Sequence, residues 1–177
     1  MATSNLGFSD TGPGFDDPMG MLHACHRRVV RHCELLERVA SHLSEGDAGE
    51  QVQQAAAQVV RYFSKAGPNH HADEDEDLFP RLQGRDPILD SVLEMLEAEH
   101  RTMAERWAAI EAALADVAAI EDPQRFAADV AAFNELYRNH VDWEERDVYP
   151  RAPELLEADE LEAIGRSMAA RRGVEYF

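Results

Sequence analysis

Residues 69–80 read NHHADEDEDLFP, and much of that pattern returns seventy residues later as HVDWEERDVYP, residues 140–150. Aligning Pro80 with Pro150 sets His70 over His140, Glu74 over Glu144, Asp77 over Asp147, Leu78 over Val148 and Phe79 over Tyr149. In each copy a His and a Glu stand four residues apart, which puts them one turn apart on the same face of a helix. An apolar residue, an aromatic ring and a helix-stopping proline follow. A solvated run of charge accounts for the acids alone. It does not account for the return of the whole pattern.

Outward from these two stretches the chain divides into helices. Asp17 as N-cap and Pro18 at the first helical position open helix A, in which Leu22, Cys25, Val29, Cys33, Leu36, Val39 and Leu43 recur at helical spacing to about Ser44. After the turn EGDAGE, helix B runs from Gln51 to its stop at Pro80, with a kink expected at Gly67-Pro68, where Pro68 removes the bond to the Ser64 carbonyl. Asp86-Pro87 caps helix C, which continues to Ile120, and Glu121-Asp122-Pro123 repeats the device ahead of helix D, Gln124 to about Tyr149. A last amphipathic segment, PELLEADELEAIGRSMAARRG, completes the chain, and no strand-like alternation of any length occurs. The reading is all-α: an antiparallel up-down four-helix bundle with a short C-terminal fifth helix over residues 17–177, preceded by a polar arm, residues 1–16.

Helices A and C echo each other as well, CHRRVVRHCELLE lying over EHRTMAERWAAIE with His26-Arg27 over His100-Arg101. Each half is therefore a helical hairpin with one His from its first helix and a His–Glu pair from its second. From His26 to the first turn, and from that turn back to His70, is about twenty residues each way, and the second hairpin has similar spans, so antiparallel helices bring His26, His70, Glu74, His100, His140 and Glu144 to one level. Imidazole and carboxylate with no thiolate suit Fe, Mn or Zn. Four His and two Glu exceed one closed tetrahedral zinc and suit two metals, each with two His and both carboxylates bridging, completed by an oxo or hydroxo bridge and open positions. Two Fe ions are expected; Mn or Zn fit less well. A ferritin-like site needs Glu-x-x-His on two helices, and only Glu97-Ala98-Glu99-His100 supplies it, so that reading fails.

These residues, the helix ends EDEDLFP and EERDVYP, and the tail SMAARRG resemble the bacterial hemerythrin-like proteins of the HHE cation-binding family, over about residues 18–173. The resemblance implies a non-haem di-iron centre in a four-helix bundle. It also implies a ligand among O2, peroxide and NO, in oxidative or nitrosative stress, sensing, oxygen binding or iron-centre repair. The extra His of the invertebrate oxygen carriers has no evident counterpart here, which weighs against simple reversible O2 carriage. Peroxide- or NO-directed turnover and binding without turnover both remain open.

The other candidates are weaker. His23, one turn before His26, is a candidate additional ligand; Tyr62 and Tyr137 are less favoured ones. His71, about 100° round the helix from His70, is assigned to support or solvent. His32 and His42 are assigned to surface or cap positions, and Asp73, Asp75, Glu76 and Asp77 to a solvated face. Tyr62, Phe63, Trp107, Phe133, Tyr137 and Trp143 are assigned to the core, with Phe63 and Phe133, each seven residues before a ligand His, walling a small-ligand pocket. With 35 Asp and Glu against 17 Lys and Arg, the net charge is −18, which disfavours nucleic acid and anionic membrane as partners. No basic stretch leads into an apolar run at the start, and Cys25 and Cys33, roughly 12 Å apart along one helix, cannot pair. A cytoplasmic protein with reduced thiols, monomer or homodimer, is expected.

Overall fold

The computed structural model describes residues 12–176. α1 spans Pro18–Ser44, and the second run is built from α2 (Glu50–Arg61), α3 (Gly67–Ala72) and α4 (Phe79–Leu82). α5 spans Pro87–Leu114, α6 Pro123–Trp143, α7 Ala152–Leu155 and α8 Ala158–Arg171. The long elements close a ring: α1 packs on α2 and α6, and α5 packs on α6 and α2. No strand occurs among the described residues, and no helix there is long and apolar enough to cross a membrane.

The Asp-Pro starts work as their chemistry requires. The Asp17 carboxylate accepts from the Gly20 amide, Asp86 from Ile88 and Leu89, and Asp122 from Arg125, each followed by a proline that has no amide to leave unpaired. The expected single last helix is two. Leu156 is extended between α7 and α8, and Glu157 and Glu160 form a reciprocal capping box that starts α8 afresh. Helix C likewise ends earlier than its pattern suggests, at Leu114, because Asp116 caps a separate short turn, Val117–Ala119.

The three interior prolines do not act alike. Each follows by two positions the end of a π-helical turn: Tyr62–Ala66 before Pro68, Asp73–Leu78 before Pro80, Glu144–Val148 before Pro150. In each, the amide just before the proline bonds five residues back, Gly67 to Tyr62, Phe79 to Glu74 and Tyr149 to Glu144. The wider turn relieves the clash between a proline ring and the carbonyl four residues earlier. Pro80 therefore does not stop its helix, which continues to Leu82, contrary to expectation.

Of the expected arm, residues 1–11 lie outside the described residues. Phe15, by contrast, packs on α8, where its carbonyl oxygen would lie 1.9 Å from a Cβ on residue 165; only glycine fits there. Cys25 and Cys33 are free and buried, and burial raises both thiols, Cys33 to about 12. The native protein is expected to leave Ellman's reagent essentially unreacted at pH 8, while the same protein in guanidinium releases the full signal of 2 thiols.

Candidate metal centre

The apolar interior is interrupted by one polar layer. His26 on α1 lies between Leu22 and Val29, His100 on α5 between Leu96 and Met103, and His140 and Glu144 between Tyr137 and Val148. His70 and Glu74 interrupt the second run between Phe63 and Leu78. All six are buried, none more than 4% exposed. They form two groups, His26–His70–Glu74–Glu144 and Glu74–His100–His140–Glu144, in each of which the potential ligand atoms lie within 4.8 Å of one another. Both groups contain both carboxylates.

Three of the imidazoles are oriented from behind. Nδ1 lies 2.9 Å from Glu145 in His26, 2.8 Å from Asp75 in His100 and 2.9 Å from Glu99 in His140. An ionised carboxylate only accepts, so each Nδ1 carries a proton, and a ring holding a metal would offer its Nε2 lone pair to the interior. Those lone pairs meet others. Glu144 sets one oxygen 3.0 Å from His140 Nε2 and the second 3.0 Å from His26 Nε2, while His100 Nε2 and His140 Nε2 are 2.8 Å apart. Acceptors facing acceptors require a cation between them.

A proton can meet that demand in part. Burial depresses His140, but Glu144 and Glu99 outweigh it and raise the imidazole to about 9. Burial pushes Glu144 up, but His140 and His26 hold it well below the usual carboxylate range. Glu74, buried beside Glu144, is pushed well above that range. Even so, Glu74 Oε2, both Glu144 oxygens and His70 Nδ1 are buried without hydrogen-bond partners. Orphaned carboxylate oxygens between imidazoles are what a divalent cation satisfies, so the donor set fits a metal.

The two halves differ at His70. Glu99, which holds His140, aligns with Cys25 in the first half, and so the corresponding support for His70 Nδ1 is missing. They also differ at the aromatic residues. Phe79 is parallel to the His100 ring at 6.0 Å between centroids; Tyr149 is parallel to His26 at 4.9 Å. The Tyr149 hydroxyl donates to Glu74 and lies 3.0 Å from His26 Nε2. Tyr149, not singled out in the sequence, lies at the site, and burial raises its hydroxyl well above the usual phenol. Its alignment over Phe79 was the available signal.

A cleft of about 680 Å³ reaches this layer between the second run and α5. Phe63, Trp107 and Phe133 wall it, and Tyr137, His71 and His100 also line it. Phe63 and Phe133 pack edge to face at 5.3 Å, in the wall position expected of them. His71 is a support residue: its Nε2 lies 2.7 Å from the Tyr137 hydroxyl and its ring stacks 4.0 Å from His100. A second cavity of about 730 Å³ near the α5–α6 turn contains none of these groups.

Several expectations need correction. Asp73 and Asp77 are buried rather than solvated, because Arg171 and Arg172 at the end of α8 reach over to pair with them. Asp75 is turned inward to His100, which leaves Glu76 as the exposed acid of the run. Trp143 is 37% exposed, under the Arg146 guanidinium, rather than in the core. His23 pairs with Glu145 in a half-exposed outer group that shares His26. Tyr62 points its hydroxyl to the Cys25 carbonyl, and the Tyr137 hydroxyl lies 2.7 Å from His71 Nε2. His42 takes its expected position, exposed at the end of α1 and paired with Asp47, and His32 stacks on Tyr62 at 3.7 Å.

Comparison with known proteins agrees with this geometry. Residues 17–152 match the family described as the hemerythrin HHE cation binding domain. An uncharacterized protein of Haemophilus influenzae is 30% identical over 161 residues, covering 91% of this chain and 93% of its own length.

Proposed function

The chain belongs to the hemerythrin HHE cation-binding family, and from that premise we propose that it is a cytoplasmic non-haem di-iron protein that binds or reduces O2, peroxide or NO in stress defence or sensing. His26 and His70 would hold one iron, His100 and His140 the other, with Glu74 and Glu144 shared. The observation that carries the reading is the pair of buried four-residue groups with both carboxylates in common. When bound, such a pair supplies one electron from each ferrous ion to a small ligand.

The chain's own groups do the rest. Glu145, Asp75 and Glu99 hold protons on the three Nδ1 atoms and keep the rings aimed. Tyr149 holds its proton against Glu74 and beside His26, from where it can donate to a bound ligand. The aromatic walls of the cleft exclude water while leaving a path from solvent.

Iron per chain after anaerobic loading is the first test, read with the optical spectrum before and after air. Two ions, with a charge-transfer band growing on oxidation, are expected. One ion, or zinc that iron cannot replace, would overturn the di-iron reading. Peroxide consumption by the loaded protein then separates turnover from binding. Ala104 lines the cleft and is exposed. Ala104→Trp is expected to slow reaction with peroxide about tenfold by filling the path, with iron content unchanged; stopped-flow absorbance measures it.

A further inference from the structure

For a chain with twice as many acids as bases, one surface groove is unusual in containing no carboxylate. It lies between α1 and the second helical run, has a volume of about 390 Å³, and is lined by Arg28 and His32 from one side and Arg61, Tyr62 and Lys65 from the other. Arg172, just beyond α8, flanks it. Arg28 and His32 are one helical turn apart, as are Arg61 and Lys65, so Arg28 on one side faces Arg61 and Lys65 on the other across the groove. Among the described residues Arg28, Arg61 and Lys65 form no ion pair, whereas Arg172 is held by Asp73 at 2.6 Å. By contrast Arg81, Arg85, Arg151 and Arg171 each pair with an acid.

Like charges brought together without counter-charges repel over a screening length of about 8 Å. An anion seated among them removes that repulsion and gains charge-assisted hydrogen bonds, for which guanidinium forks match phosphate oxygens. His32 and Tyr62, stacked on each other at 3.7 Å between centroids, add aromatic carbon to the same groove lining. A phosphate group alone would leave most of this volume empty, and a cavity of this size suits a small molecule. We propose that the groove is a binding site for a small phosphate-bearing molecule. It is separate from the polar layer and does not depend on which metal is held there.

The test is titration of the full-length, metal-loaded protein with AMP and, separately, with inorganic phosphate, followed by calorimetry and by NMR of the arginine Nε–H groups. Saturable 1:1 binding of AMP is expected, weakening as salt rises from about 50 to about 200 mM. Arg28→Ala with Arg61→Ala is expected to lower the affinity about tenfold or more. Lys65→Glu, a single change at an exposed position, is expected to act in the same direction, and Arg27→Ala, outside the groove lining, to have no effect. Phosphate binding as tightly as AMP would mean that the groove recognises the anion alone; tighter AMP binding would assign the remaining volume to the rest of the ligand. Failure of both probes to saturate at millimolar concentration would overturn the proposal. So would binding that the double variant and Lys65→Glu both leave intact, since the anion would then sit elsewhere, for example at the metal.

Discussion

Glu144→Gln is expected to abolish tight binding at both halves of the centre at once, with helical content unchanged by circular dichroism. The reason is the division of the carboxylate: one oxygen faces His140 and the other His26, each at 3.0 Å. Glu74, the other carboxylate in both groups, stands farther from its imidazoles, 3.6 Å from His70 and 3.5 Å from His100, and an amide offers one weaker acceptor in place of two anionic ones. Glu145→Gln, one residue on, is the contrast. Glu145 bonds the outer nitrogen of His26 and pairs with His23, and belongs to neither inner group, so its loss is expected to weaken metal affinity about 10- to 100-fold while two ions still bind at saturation. Competition with a chromophoric chelator reads both results. If Glu144→Gln bound two ions with wild-type affinity, this carboxylate would not be shared, and the arrangement proposed for the pair would fail.

The contrast between Glu144 and Glu145 also marks where sequence reading runs out. His26, His70, Glu74, His100, His140 and Glu144 were legible because a repeated spacing on helices of similar length predicts a common level. Their supporting carboxylates were not, because two of the three reach across the pseudo-repeat: Glu145 of the second half holds His26 of the first, and Asp75 of the first holds His100 of the second, while Glu99 holds His140 within its own half. Such contacts depend on how the hairpins are rotated about their axes, which periodicity leaves undetermined. The π-helical turns matter here, since one added residue rotates everything after it relative to an ideal helix. The prolines announced a disturbance without saying that the helix would widen and continue. Tyr149 was not singled out for a related reason: its alignment over Phe79 marks an aromatic position, but Phe79 has no hydroxyl, so the contact with Glu74 had no counterpart to read.

The C-terminal tail supplies the second large effect. Asp73 adjoins Glu74 in sequence and is fully buried, yet it points away from the metal layer into a clasp made by α8. Arg172 holds it through two bonds of 2.6 and 3.0 Å, and Arg171 pairs with it, with Asp77 at 2.9 Å and with Glu76 at 2.8 Å. Removing one side of a buried ion pair costs roughly 3–5 kcal/mol, because the remaining charge keeps its desolvation penalty and loses its partner. Arg171→Ala with Arg172→Ala strands the buried Asp73 carboxylate and leaves Asp77 only the longer pair with Arg81, at 3.9 Å, and the expected fall in Tm is on the order of 10 °C, at about 2–4 °C per kcal/mol for a domain of this size. The exposed pair Arg125–Asp129, at 3.1 Å, is the control; Arg125→Ala should cost no more than about 1 kcal/mol. Because α8 also buries Ile164 and Met168, a fall in Tm could reflect loosened packing instead of stranded charge. Adding Asp73→Asn and Asp77→Asn to the double Arg variant separates the two, since neutral side chains no longer need a partner. Recovery of most of the lost Tm, read by calorimetry, is the expected result; a further fall would show that the tail stabilises the fold through its apolar face and that the arginine clasp contributes little.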